Sequence, residues 1–236
     1  MTLAAAPTSL FKYTLLLFFF TLPLQGTEKG KLEPIFSPPK GWHKNPIETP
    51  SSRVKVSFFT KAKQEFCPSI NLLEEKVSSS IEEYLKNIQK MYESDSNNRF
   101  RRLGTLKTRA GTAHLTSLDM ETALGKVRVL QSIFLQEGIA YILTGAVLQE
   151  DFGLYQKDLT TSFRSFSLES NLYDYVQNEM QKSTLINQIQ SLLSTQKKDK
   201  KHLDPFKRFV TQEFKEEGSY WQLLLLEEIE KKLSEN

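Results

Sequence analysis

The chain has 236 residues, 39% of them hydrophobic, 11% aromatic and 25% charged. That is enough for one sizeable domain, or one domain and a small companion, and it excludes the low-hydrophobicity composition of disordered chains. Its 31 basic and 28 acidic side chains leave a formal net charge of +3, a balance that argues against a dedicated nucleic-acid binder and its concentrated basic patch.

Residues 1–26 read as a signal peptide or an N-terminal anchor. Lys12 supplies positive charge, Tyr13 to Leu24 form an apolar stretch of 12 residues, and Pro23 and Gly26 precede the polar TEKGK. An apolar run of this length suits a signal-peptide core and is short for a membrane span. If it stays attached, residues 10–24 offer a route to membrane association. Residues 27–41, with three prolines, read as an extended linker. Trp42 opens the globular region, expected over 42–168.

Val54–Thr60 alternates as a half-buried strand, and Ser69–Val77 is a second strand. Between them lies Cys67. A single cysteine rules out an intrachain disulfide, and its expected place is that of a small buried hydrophobe. Ser80 and Glu83 have capping-box spacing. They precede a helix whose apolar stripe is Ile81, Tyr84, Leu85, Ile88, Met91 and Tyr92. The period then switches to two. Leu103–Thr108, Thr112–Met120, Lys126–Gln136 and Ile139–Val147 are separated by gaps too short for crossover helices, which predicts an antiparallel meander. Ile139–Val147 is nearly all apolar and belongs at the sheet centre. A second helix follows from about Glu150, with Phe152, Tyr155, Leu159 and Phe163 on its stripe, and Phe166 and Leu168 close the domain. The expected class is α+β: a six-stranded antiparallel sheet with helices packed on it.

Residues 169–236 read as an all-helical tail. Leu172, Tyr175, Val176, Met180, Ile186, Ile189 and Leu193 mark one helix, and QKKDKK at 196–201 a solvated connector. Asp204-Pro205 starts a second helix, striped by Phe206, Phe209, Val210 and Phe214, which Gly218 ends. Ser219 starts a third, with Trp221, Leu224, Leu225 and Leu233. Leu223–Leu226 is too apolar for a free helix. Either the three helices pack together and on the domain, or they present a surface to a partner or a second copy. The candidate contact residues on that second reading are Phe206, Phe209, Phe214, Trp221, Leu224 and Leu225.

The three histidines, His43, His114 and His202, have no metal-ligand spacing, and there is neither a Gly-x-Ser-x-Gly elbow nor a glycine-rich phosphate loop. No catalytic, cofactor or metal residue is therefore assigned. Arg99, Arg101, Arg102, Lys107 and Arg109 form a basic run. It reads as a solvated strand face, or as a patch for anionic head groups or an acidic partner.

The strand VKVSFFTK, the segment SINLLEEKV, the helix IEEYLKNIQKMY and the stretch QEGIAYILTGAVLQEDFGLYQKDLTTSFRSFSL together give a resemblance. Over about residues 40–168 the chain resembles the PsbP/DcrB-like family of extrinsic thylakoid-lumen and bacterial envelope proteins. The resemblance implies an α/β/α sandwich, an extracytoplasmic location and an accessory or assembly role without catalysis. It carries no functional residue over, and it stops short of the tail. The expected function is thus that of an exported, non-enzymatic binding or assembly protein of the bacterial envelope, with a protein partner and no nucleic acid. The alternatives are an envelope hydrolase with dispersed site residues, in which His114 or His43 meets a carboxylate and a hydroxyl, or a homo-oligomer joined through Trp221 and Leu223–Leu226.

Overall fold

The computed structural model describes residues 32–45, 53–60, 66–194 and 203–235. The leader, the connector at 196–201 and His202 lie outside them.

All six period-two runs become strands of one antiparallel sheet. In chain order these are β3 (Val54–Phe59), β4 (Ser69–Lys76), β5 (Arg99–Lys107), β6 (Thr112–Thr122), β7 (Gly125–Gln136) and β8 (Ile139–Leu148). A seventh strand is β2 (His43–Lys44). Two residues are too few to show a period, and β2 is held only by pairing with Phe58 and Phe59. The order across the sheet is β2-β3-β4-β8-β7-β6-β5, so the apolar β8 is indeed central.

Helices cover both faces. α1 (Ile81–Glu93) lies on one, buried through Tyr84, Leu85, Ile88 and Tyr92 against Phe100, Leu118, Val129, Ile133 and Ile142. The Ser80 Oγ accepts from the Glu83 backbone N–H at 3.3 Å, as the capping-box spacing requires. Each of those apolar side chains gains about 1.5–3 kcal/mol on full burial, so packing rather than propensity holds the helix. α2 (Phe152–Arg164) covers the opposite face through Leu159 and Phe163. It sits close over β8: a Cβ on Gly145 would fall 2.7 Å from a Leu159 methyl.

Three expectations are corrected. The first concerns the linker. Its last residues are packed: β1 (Glu33–Ile35) pairs with β9 (Ser167–Glu169), and Ile35 and Phe36 are fully buried. Prolines dominated the composition of this segment, yet Pro34 is tolerated in a two-stranded ribbon with a free edge. The second concerns Cys67, which is exposed, because it lies in the β3–β4 connection just outside the paired residues. The third concerns the first tail helix. A 3-10 turn over Leu172–Tyr175 precedes α3 (Glu179–Ser194), whose buried residues are Leu185 and Ile189, while Met180 is 80% exposed.

The remaining helices are α4 (Leu203–Glu213) and α5 (Ser219–Glu235). Helix α4 starts one residue before Asp204 and ends well before Gly218, which instead precedes α5. The tail has a core of its own, from Ile35, Tyr175, Leu185, Ile189, Phe206, Val210, Phe214, Trp221, Leu225 and Ile229. It is also fused to the sandwich. Tyr220 of α5 sits in the sheet core against Phe36 and Phe58. The Ser37 backbone N–H donates to Ser165 Oγ at 2.7 Å, and Ser37 Oγ donates to the Glu217 carbonyl at 2.9 Å. Gly218, with φ +86°, passes 3.0 Å from Ser37 at its Cβ position, an approach and a backbone angle that favour glycine.

Candidate binding surfaces

The two groups of residues singled out from the sequence meet opposite fates. Of the six tail residues, Phe206, Phe214, Trp221 and Leu225 are buried within the tail, and Phe209 and Leu224 pack half-buried against the same core. Trp221 is fully enclosed, and its indole N–H donates to the Leu172 carbonyl at 2.8 Å. Their apolar area is already matched inside the chain. They are therefore not a free contact surface, and an oligomer interface through Trp221 and Leu225 would require the tail to open.

The basic run is exposed, but the fold divides it. Arg99, Arg101 and Arg102 lie on β5, which ends the seven-stranded sheet, and Lys107 is its last residue. Pairing with β6 slips between Arg102 and Gly104, so Leu103 is an extra, bulged residue and is 48% exposed. Before the bulge, Phe100 faces α1; after it, Leu106 faces the α2 side. A strict two-residue period would put both on one face, and the bulge reverses it. Arg109 leaves the run altogether. Its guanidinium donates to the Tyr175 carbonyl at 2.9 Å and stacks 4.3 Å from that residue's ring, tying the β5–β6 turn to the tail.

On the α2 side of β5, Arg101 and Arg128 share one carboxylate. Arg128 holds Asp119 through two bonds, Nε to Oδ1 at 2.6 Å and Nη2 to Oδ2 at 2.9 Å, and Arg101 Nη2 adds a third at 2.7 Å. The Arg128 hydrogen bonds hold the Asp119 carboxyl below its usual range, against the opposing effect of burial. Arg99 pairs with Asp119 across the strands and adds to the same field. Sequence reasoning missed Asp119 and Arg128. The signal was available: a hairpin closing Thr122 onto Gly125 places residue 119 opposite residue 128.

On the α1 side, Arg102 reaches Glu82 at 2.9 Å. Beneath this pair lies a cavity of about 140 Å³ lined by Glu82, Leu85, Arg102, Gly104, Thr105, His114, Leu115 and Thr116. It brings His114 near a carboxylate and hydroxyls, but their bonds go elsewhere. Glu82 is held by Arg102, and Thr116 Oγ1 donates to Gln131 Oε1 at 3.4 Å. Gln131 Nε2 in turn donates to Thr144 Oγ1 at 3.4 Å, so a buried polar row runs under α1 across β6, β7 and β8. Beyond it, Tyr84 donates to the buried Glu75 carboxylate at 2.7 Å, with Arg53 at 3.5 Å. Burial and this bond push the Tyr84 hydroxyl far above its ordinary pKa, so it remains a donor. The other histidine weighed for such a site, His43, is exposed on β2, away from this cavity. Among the described residues, no three His, Cys, Asp or Glu side chains are placed to hold a metal ion, and no helix is long and apolar enough to cross a membrane.

The fold and these surfaces define a class: an α+β protein with a seven-stranded antiparallel sheet between helices. Compared as a sequence, the chain matches no family model and no curated protein. Compared as a structure, it aligns with LpqN of Mycobacterium tuberculosis, a protein involved in cell envelope biogenesis, at 12% identity and a TM-score of 0.45, covering 63% of this chain and 90% of that one. It also aligns with the cyanobacterial PsbP of Synechocystis at 11% identity and a TM-score of 0.39, covering 62% and 97%. A protein of unknown function from Pseudomonas aeruginosa aligns at 10% identity and a TM-score of 0.35, covering 59% and 83%.

Proposed function

We propose that this chain is an exported, non-enzymatic accessory protein of the bacterial envelope, in the manner of the PsbP/DcrB-like group its sequence resembles. The observation that carries the reading is the pairing of an apolar leader, Tyr13–Leu24, with a sandwich whose helical tail closes on its own core. That closure removes the tail aromatics as the contact element and leaves the exposed basic strand β5 as the surface for a partner. The test places a photo-crosslinking amino acid at Leu103 on β5 or at Met180 on the tail, in cells separated into cytoplasmic and envelope fractions. The expected result is an extracytoplasmic protein with a specific crosslinked product from position 103. A protein confined to the cytoplasm overturns export, and no specific product from either position overturns the accessory role.

A second reading, a ligand-processing enzyme, has one observation in its favour: the cavity that gathers His114, Glu82, Thr105 and Thr116. A hydrolytic activity against a panel of esters and phosphomonoesters that His114→Ala abolishes, with an unchanged melting temperature, would replace the first reading with this one.

A further inference from the structure

We infer that β5 is a docking edge for an extended acidic segment of a partner protein, which adds to the sheet as an eighth strand. The inference rests on the binding role proposed above but not on export. Three observations carry it. First, β5 is the terminal strand of the sheet, nine residues long, and among the described residues no strand or loop backbone pairs with its outer side. Strand addition to such an edge gains main-chain hydrogen bonds that its own fold leaves to solvent.

Second, its side chains do not shield that edge. Arg101 is turned onto one face by Asp119, and Arg102 onto the other by Glu82, so both guanidinium groups are fixed above and below the strand. Arginines on an edge usually deter pairing. Here they are drawn inward, Arg101 over β6 and Arg102 onto α1, which keeps them off the outer backbone of the strand.

Third, positive charge is in excess along the strand. On the α2 side Arg101 and Arg128 share the single carboxylate of Asp119, with Arg99 beside them; Lys107, next to Leu106, adds a charge on the α1 side at the strand end. Arg99 and Arg101 are two residues apart and share a face. The complementary segment carries acidic residues at alternate positions, with an apolar residue opposite the bulged Leu103. A second copy of this chain is disfavoured, since pairing β5 with itself brings like charges together.

The test uses full-length protein and a fluorescent eight-residue peptide of alternating Glu and Val, followed by anisotropy. Controls are the same peptide with Lys in place of Glu, and one N-methylated at every amide, which keeps the charge and removes the backbone donors. The expected results are binding of the Glu peptide only, weakened about tenfold by R99E/K107E, whose side chains are exposed and make none of the hydrogen bonds to Asp119. Equal binding of the N-methylated peptide overturns strand addition and leaves a charged patch. No peptide binding, together with binding to phosphatidylglycerol vesicles that R99E/K107E abolishes, assigns the edge to a membrane surface instead. A concentration-dependent dimer lost in L103P assigns it to a second copy. No binding of any probe by a folded protein overturns the inference; a crosslinked product from Leu103 in cells would still uphold the accessory role.

Discussion

Asp119 illustrates how one side chain can organise a surface. Its carboxylate is mostly buried between two guanidinium groups, and removing it would leave Arg101 and Arg128 facing each other without a counter-ion. Asp119→Asn should therefore cost about 1–3 kcal/mol at neutral pH. The folded carboxyl titrates below its ordinary value of 3.8. Its contribution is thus complete above that value and is lost as pH falls through the folded pKa. Thermal melts between neutral pH and pH 2 should show the wild type losing stability below about pH 4, with a shallower loss for the variant. Glu217 works in the opposite sense: burial raises its pKa, so it favours folding when protonated and that contribution is lost as pH rises. At this scale the sequence was partly legible. The Ser80 cap followed from spacing alone, because it is a local bond. The Asp119–Arg128 pair required a hairpin register, and the Glu75–Tyr84 bond required the angle at which α1 crosses the sheet.

At the scale of elements, contact between α2 and β8 decides the sandwich. A Cβ on Gly145 would fall 2.7 Å from a methyl of Leu159, which is fully enclosed and has little room to shift. Gly145→Ala should destabilise by about 1–3 kcal/mol through overpacking. Chemical denaturation would measure it, and a Gly145→Ala/Leu159→Ala double variant should cost less than the sum of the two single changes. Strands were the most legible elements, since a surface half buried and half wet imposes its period on the residues themselves. The exceptions have particular causes. β2 is too short to show a period, β1 was hidden in a proline-rich stretch, and the start of β5 was hidden by a bulge that reverses the faces.

At the scale of the whole molecule, the tail is a structural partner of the sandwich. Its core includes Ile35 from the N-terminal side, and α5 sends Tyr220 into the sheet core. A chain ending at Ser170 would expose Ile35, Phe36 and Phe58 and lose the Tyr175 anchor of Arg109. It should bind a hydrophobic dye and melt with lower cooperativity in calorimetry. A truncated chain that melts as sharply as the full one would show that the sandwich stands alone.

By itself, the sequence determined the α+β class, six of the seven strands of the main sheet, the central place of β8 and the helix α1, all consequences of local periodicity and capping. Only the tertiary structure decided which helix covers which face, that the tail aromatics face inward, and that the basic run lies on the last strand of the sheet. Each of those depends on which apolar surface finds which other, and pairings between distant segments leave no period in the chain.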